Sequence, residues 1–233
     1  MDYAIIAAGE GSRLVEEGIE IPKPLIQLNG ITLIDRLITV FCRNGASSIS
    51  IIINSEMVEV YQHIKQKKLN IPLNLVVKST PSSMHSFFAL SPYLKNGKFC
   101  LTTVDTVFKE DEFSDYIQDF INDNSYDGMM AVTGFIDDEN PLYVAVEPET
   151  QLITAYKNSP SNEVNYVSGG IYCLSSRAIG VLQMCMDRGM NRMRNYQQQL
   201  ILEGMRLKAW PFRKIIDVDH AEDINKAAEF LRE

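Results

Sequence analysis

Four short stretches of this chain carry side chains able to hold phosphate or a hard metal ion. The first is Gly9-Glu10-Gly11-Ser12-Arg13-Leu14, directly after the apolar run ending at Ala8. Glycines let backbone amides approach a phosphate closely, and Ser12 and Arg13 add side-chain donors. The third glycine of a dinucleotide fingerprint is missing, as is the Gly-Lys-Ser/Thr of a P-loop. By itself the loop reads equally well as a plain strand-to-loop turn. The second stretch is Pro22-Lys23-Pro24-Leu25. Its prolines fix the backbone on both sides of one lysine, which lowers the entropic cost of delivering a point charge. Alone, it reads first as a rigid surface turn with a solvated lysine.

The third is Asp105, after the apolar run Phe99–Val104. A carboxylate at a strand's carboxyl end suits Mg²⁺, which prefers oxygen ligands and keeps substrate phosphates in its shell. The fourth is Asp217-Val218-Asp219-His220-Ala221-Glu222-Asp223. Alternation puts Asp217 and Asp219 on one side of an extended segment. Asp219 with Glu222 also reads as a capping-box start to the last helix.

The pairing of Gly-x-Gly-Ser-Arg-Leu with Pro-Lys-Pro-Leu resembles the signature of the sugar-phosphate nucleotidyltransferase family. The resemblance is strongest over residues 3–45 and extends in order along the whole chain. It implies transfer of a nucleoside monophosphate from an NTP to a small phosphorylated acceptor, a sugar 1-phosphate or phospho-alcohol, with release of pyrophosphate. It implies that Ala8, Gly9, Gly11 and Ser12 hold the nucleotide, while Arg13 and Lys23 neutralise the phosphates in the transfer. Mg²⁺ is expected on Asp105 and on Asp219 or Asp217; relatives with this Asp-x-x-Glu-Asp ending match at Asp219, other branches at Asp217. Ser79–Ser86 stands where relatives carry a Gly-Ser/Thr-Ala segment touching base and ribose, and departs from it. Ser82 and Ser83 are the candidates there, and either also suits a helix cap. Lys157 resembles the lysine that meets the acceptor's phosphate, and reads also as an exposed strand-end lysine. Gly169 and Gly170, in Ser168-Gly-Gly-Ile-Tyr172, resemble the segment lining the acceptor pocket, and read also as a strand bulge. By the same resemblance, Ala7-Ala8-Gly9 in place of Ala-Gly-Gly implies a pyrimidine nucleotide.

The elements that must position these residues alternate in the first half. Strand patterns at Tyr3–Ala8, Ser48–Asn54, Leu73–Val77 and Lys98–Val104 alternate with helical patterns at Thr32–Asn44, Glu56–Lys67, Ser83–Leu94 and Glu112–Asn122. This predicts a mainly parallel sheet with right-handed crossovers. In the second half, Gly128–Phe135, Leu142–Glu147, Leu152–Lys157 and Val167–Leu174 follow one another without helices, predicting antiparallel additions. Helices at Ser176–Arg188, Tyr196–Gly204 and Ala221–Leu231, with short strands at Arg206–Pro211 and Lys214–Val218, complete the chain. The expected fold is a three-layer αβα sandwich with a mixed, mainly parallel central sheet, the Rossmann-like nucleotide-diphospho-sugar transferase fold. We expect one domain over 1–233, its nucleotide-binding half at about 1–110 and its acceptor-binding half at about 111–233. In such sheets ligands collect at the carboxyl ends of the strands, where Ala8 and Asp105 both fall.

Composition limits the rest. The chain has 233 residues and a net charge of −8, with no basic face for nucleic acid. No apolar run reaches membrane-spanning length, and the start Met1-Asp2 lacks a basic signal region, so a cytoplasmic protein is expected. Cys42, Cys100, Cys173 and Cys185 lie in apolar stretches without metal-ligand spacing and read as small buried hydrophobes. Met184, Met186, Met190 and Met193 suit a core or an interface, so a homo-oligomer is one expected assembly. Two rival functions remain. A glycosyltransferase of this fold should carry Asp-x-Asp where this chain has Asp105-Thr106-Val107. A catalytically silent nucleotide binder has no need for both metal carboxylates and Lys23.

Overall fold

The computed structural model describes residues 1–137, 139–160 and 164–233. Strand β1 (Asp2–Ala7) leads through the glycine loop into α1 (Ser12–Glu16). A 3₁₀ turn (Lys23–Leu25) and a small hairpin, β2 (Gln27–Leu28) with β3 (Ile31–Thr32), precede α2 (Leu33–Arg43). Next come β4 (Ser48–Ile53), α3 (Val58–Lys65), β5 (Leu73–Val77), α4 (Ser83–Leu90), β6 (Lys98–Thr103), β7 (Thr106–Val107) and α5 (Glu110–Asn122). The second half runs β8 (Gly128–Thr133), β9 (Tyr143–Val146), β10 (Ile153–Lys157), β11 (Val164–Ser175), α6 (Arg177–Asp187), α7 (Met193–Leu202), β12 (Leu207–Phe212), β13 (Ile216–Asp217) and α8 (Ala221–Phe230).

The central sheet is mixed. Its order is β10-β9-β11-β6-β1-β4-β5, with β8 joining β11 to β12. Parallel pairing runs through β6, β1, β4 and β5, the half that carries the glycine loop. β11 runs antiparallel to β6, β8 and β9 and so joins the two halves. The period-2 alternation of β1 divides its side chains between two cores. Tyr3 and Ile5 point into the core with Leu37, Phe41 and Phe113; Ala4 and Ile6 point into the core with Phe87, Leu182 and Tyr196. One helix layer covers each face, which gives the expected αβα arrangement. Each fully buried leucine or phenylalanine there contributes about 1.5–3 kcal/mol.

The expected elements appear with small shifts at their ends. Thr32 caps α2 by accepting from the Asp35 amide at 3.2 Å, which sets where that helix starts. The helix expected through Leu94 stops at Leu90 and tightens into a 3₁₀ turn at Ser91–Tyr93, where Pro92 has no N–H to continue the ladder. Helix α1, the β2–β3 hairpin and β7 were not expected from the pattern. One expectation is corrected: Cys42 is exposed, because it falls off the buried stripe of α2, while the other three cysteines are buried. Among the described residues no helix is long and apolar enough to cross a membrane.

Candidate active site

The carboxyl ends of β6, β1, β4 and β5 form one edge, and the site is built on it. β1 ends at Ala7 and its pairing with β6 continues through the Val104 amide, which donates to the Ile6 carbonyl at 2.9 Å. Asp105 follows at once. The glycine loop opens into α1, and Gly11 stands at φ +65°, the left-handed region that favours glycine. The Lys23 side chain passes beneath it: a Cβ on Gly11 would meet Lys23 Cβ at 3.5 Å.

The Pro-Lys-Pro segment is not a solvated turn. It forms a 3₁₀ turn in which the Leu25 amide donates to the Pro22 carbonyl at 2.8 Å, and Lys23 is only 8% exposed. Its ammonium donates to Asp105 Oδ2 at 2.7 Å and to Asp219 Oδ1 at 2.7 Å. Burial alone would lower the lysine pKa; the charges of Asp105 and Asp219 outweigh it and hold the group protonated. Burial likewise works to raise Asp105, and Lys23, helped by Thr103, outweighs it and holds the carboxyl below its ordinary range.

The C-terminal aspartates reach this place through a pairing far apart in sequence. β13 lies antiparallel to β7, with Ile216 opposite Val107 and Asp217 opposite Thr106. The Val218 amide then donates to the Asp105 carbonyl at 3.1 Å. Asp219 receives Lys23 and, at 3.2 Å, Arg13 Nη1. Asp217 makes no ion pair among the described residues, and solvent reaches it from a neighbouring cavity. Desolvation against the cleft floor, then the charges of Asp105 and Asp219, still pushes its carboxyl upward. The cap expected from Asp219 and Glu222 is shifted by one residue. His220 is the N-cap, and Asp223 accepts from the His220 amide at 2.8 Å and the Asp219 amide at 3.2 Å. That shift leaves the Asp219 carboxylate free to face Lys23.

Two cavities flank the Lys23 bridge. The first, of about 610 Å³, is lined by Ala8, Gly9, Gly11, Ser12, Ser82 and Ser83, with Lys23 and Asp105 among its walls. Ser82 also caps α4, its hydroxyl accepting from the His85 amide at 3.4 Å. The second, of about 500 Å³, is lined by Arg13, Gly169, Asp217 and Asp219. Carboxylates outnumber basic groups there. Arg13 is held by Glu139 at 3.4 Å as well as by Asp219, and Lys226 by Glu222 at 2.8 Å.

The remaining sequence candidates divide. Gly169 and Gly170 sit in a bulge, where the register of β11 on β8 shifts between Ser168 and Tyr172. A Cβ on Gly169 would stand 2.3 Å from Ile215 Cδ1, so a larger residue there requires that terminal methyl to move. Gly170, at φ +74°, packs against Thr106 and is not among the residues lining the second cavity. Lys157 ends β10 opposite Tyr143 and lines neither cavity. Arg13 turns toward the second cavity rather than the first.

Two neighbours had no place among the candidates. Glu17 receives the Ala221 amide and His220 Nδ1, each at 2.6 Å, and so ties α1 to α8. Asn54 lines the first cavity. The rule that singled out Asp105, a polar residue just beyond an apolar parallel strand, applies equally to Asn54 after Ser48–Ile53.

Known proteins resemble this chain over most of its length. The family model described as nucleotidyl transferase matches residues 3–233. The bifunctional protein GlmU of Methanococcus maripaludis is 23% identical over 97% of this chain and 53% of its own length. GlmU of Methanococcus aeolicus is 20% identical over 88% of this chain and 48% of its own. The chain thus spans about half the length of the curated relatives it matches. The solved inositol-1-phosphate CTP transferase of T. maritima superposes with a TM-score of 0.80 at 17% identity, covering 99% of this chain and 97% of that one. That likeness establishes the fold.

Proposed function

The chain belongs to the nucleotidyl transferase family, and on that premise we propose that it transfers a nucleoside monophosphate from an NTP to a small phosphorylated acceptor, releasing pyrophosphate. The observation that carries this is the ammonium of Lys23, held at 2.7 Å from both Asp105 and Asp219 between two cavities. One cavity carries the glycine loop and suits the nucleotide; the acceptor is assigned to the other, where Arg13 and Lys226 would have to exchange a carboxylate partner for its phosphate.

The donor set fits magnesium. Two carboxylate oxygens, one from Asp105 and one from Asp219, converge on the point that the Lys23 ammonium holds. Mg²⁺ is held in this way, by one or two carboxylates with substrate phosphates completing its shell. Asp105 and Asp219 would hold the ion, which when bound supplies charge neutralisation for the α-phosphate and the leaving group.

The chain's own residues do the remaining work. Backbone amides at Gly9 and Gly11, with Ser12, bind and orient the phosphates. Lys23 donates to a phosphate oxygen in place of one of its present carboxylate partners, so its charge meets the charge that develops on pyrophosphate. An oxygen of the acceptor's phosphate attacks the α-phosphorus in line, the bond to pyrophosphate breaks, and pyrophosphate leaves. The attacking group is already an anion, so no protein side chain has to remove a proton. Catalysis is then a matter of positioning and charge.

By analogy with relatives, Ala7-Ala8-Gly9 points the proposal to a pyrimidine nucleotide, the class to which the CTP named for the T. maritima protein belongs. The inositol 1-phosphate of that protein is also a phosphorylated alcohol, one of the two acceptor classes proposed. The test is a matrix of the four NTPs against sugar 1-phosphates and phospho-alcohols, read as pyrophosphate release with and without Mg²⁺. Release should require a specific pair and the metal; no release from any pair would sink the proposal.

A further inference from the structure

Asn54 follows the last residue of β4 and is only 6% exposed. Its Oδ1 accepts from the Glu56 amide at 2.8 Å and from the Ser79 hydroxyl at 3.3 Å. Only the carbonyl end of the side-chain amide can accept, so these bonds decide which way the group is turned. The NH₂ end therefore points away from the turn. Among the described residues it meets no acceptor, and it is not one of the sealed polar atoms that lack a partner. Its nitrogen is thus open to solvent, and the spaces Asn54 borders are the first cavity and a smaller recess under the glycine loop. A mostly buried side chain thus keeps one unpaired donor on the border of these two spaces.

Strand order says which part of a nucleotide it meets. Across the edge, β6, β1, β4 and β5 bring up in turn Asp105, the glycine loop, Asn54 and Ser79. Neighbouring strands lie about 4.8 Å apart, so Asn54 stands about 10 Å from the Asp105 end. A triphosphate held at the glycine loop, with its α-phosphate near Lys23 and Asp105, extends its nucleoside toward β4 and β5.

We infer that Asn54 is a specificity residue that donates its side-chain N–H to an acceptor oxygen on the nucleoside, a base carbonyl or a ribose hydroxyl. A nucleotide that shut water away from this donor without supplying an acceptor would be penalised. The inference rests on reading the first cavity as the nucleotide cavity.

The test compares N54S and N54D with wild type. Asp keeps both acceptor bonds of the turn, and Ser keeps a hydroxyl for the Glu56 amide, so thermal melting should show both folded. Equilibrium binding and steady-state kinetics are measured with the four NTPs, their 2′-deoxy forms and inorganic tripolyphosphate. Affinity of N54S for the preferred NTP should fall about tenfold, the equivalent of one hydrogen bond of roughly 1.4 kcal/mol, with kcat kept and tripolyphosphate binding unchanged. A loss that depends on the base assigns the base carbonyl. A loss that vanishes with 2′-deoxy nucleotides assigns the ribose. The inference is overturned if N54S binds every NTP as wild type does, or if tripolyphosphate binding falls equally. Failure of wild type to bind any NTP would instead overturn the nucleotide-cavity reading and take this inference with it.

Discussion

The ammonium of Lys23 lies 2.7 Å from a carboxylate oxygen of Asp219, although 196 positions separate them in the chain. The same nitrogen is 2.7 Å from Asp105. One buried cation therefore holds together the loop after β1, the end of β6 and the segment before α8. Removing the lysine would leave two carboxylates facing each other without the cation between them, which costs more than the lost bonds alone.

Lys23→Ala should lower pyrophosphate release by about 10²–10³-fold, the scale of losing one charge-stabilising donor. Circular dichroism should remain native while the melting temperature falls. Added Mg²⁺ should raise the melting temperature of this variant more than that of wild type, since the ion can then occupy the place of the ammonium. Equal metal responses would show that Lys23 does not stand at the cation position.

The two C-terminal aspartates should differ. Asp219→Asn removes a carboxylate on the Lys23 bridge and should raise the Mg²⁺ concentration needed for half-maximal rate. Asp217→Asn changes a group that faces the second cavity, so its main effect should fall on the KM for the acceptor. The comparison is made by titrating metal and acceptor separately for each variant.

Arg13 is bonded to Asp219 and Glu139 at the second cavity. Arg13→Ala should therefore raise the acceptor KM more than the NTP KM. A dominant effect on NTP binding would instead mean that the side chain swings to the first cavity when nucleotide arrives.

Gly169→Ala should destabilise the fold by about 1–3 kcal/mol through overpacking. The added methyl would meet Ile215 Cδ1 at 2.3 Å and the Ala131 carbonyl oxygen at 3.3 Å. Ile215→Val removes the nearer atom, so the double variant should recover part of the loss. Urea unfolding of the four proteins in the cycle measures that coupling.

Away from the site, Asp35 on α2 accepts from Lys67 at 2.8 Å and meets His63 at 3.0 Å. Partial burial works to raise its carboxyl, but the bonds from Lys67 and His63 prevail and lower it. A lowered carboxylate contributes stability above its unfolded pKa, and that contribution disappears as pH falls through the folded value. Asp35→Asn should thus cost about 0.5–1 kcal/mol near neutrality and nothing once the wild-type carboxylate is protonated. Urea denaturation of both proteins from pH 7 down through the carboxylate range checks the sign.

Much of this architecture was legible in the residues alone. The isoleucine run Ser48–Ile53, the helical stripe of Leu33, Leu37 and Phe41, and the loop at Gly9–Gly11 each encode structure through neighbours within one or two turns. Local patterns of this kind need no knowledge of the partner element. The shortest elements were not legible: β7 is two residues long and exists only through its pairing with β13, which falls inside the strand expected at Lys214–Val218. The Asp219–Glu222 cap failed for a related reason, since either Glu222 or Asp223 could satisfy the helix start and the contacts of Asp219 with Lys23 and Arg13 occupy its side chain.

The amino-acid sequence by itself thus determined a phosphate-suited loop, a constrained lysine and carboxylates at strand ends, because each depends on residue type and short-range spacing. Only the tertiary structure decided that Lys23 is buried and shared between Asp105 and Asp219, that Arg13 turns to the second cavity, that Lys157 stands outside both, and that Asn54 borders the first. Those outcomes depend on strand order and on pairings across most of the chain, where the direction of a side chain follows from what packs beside it.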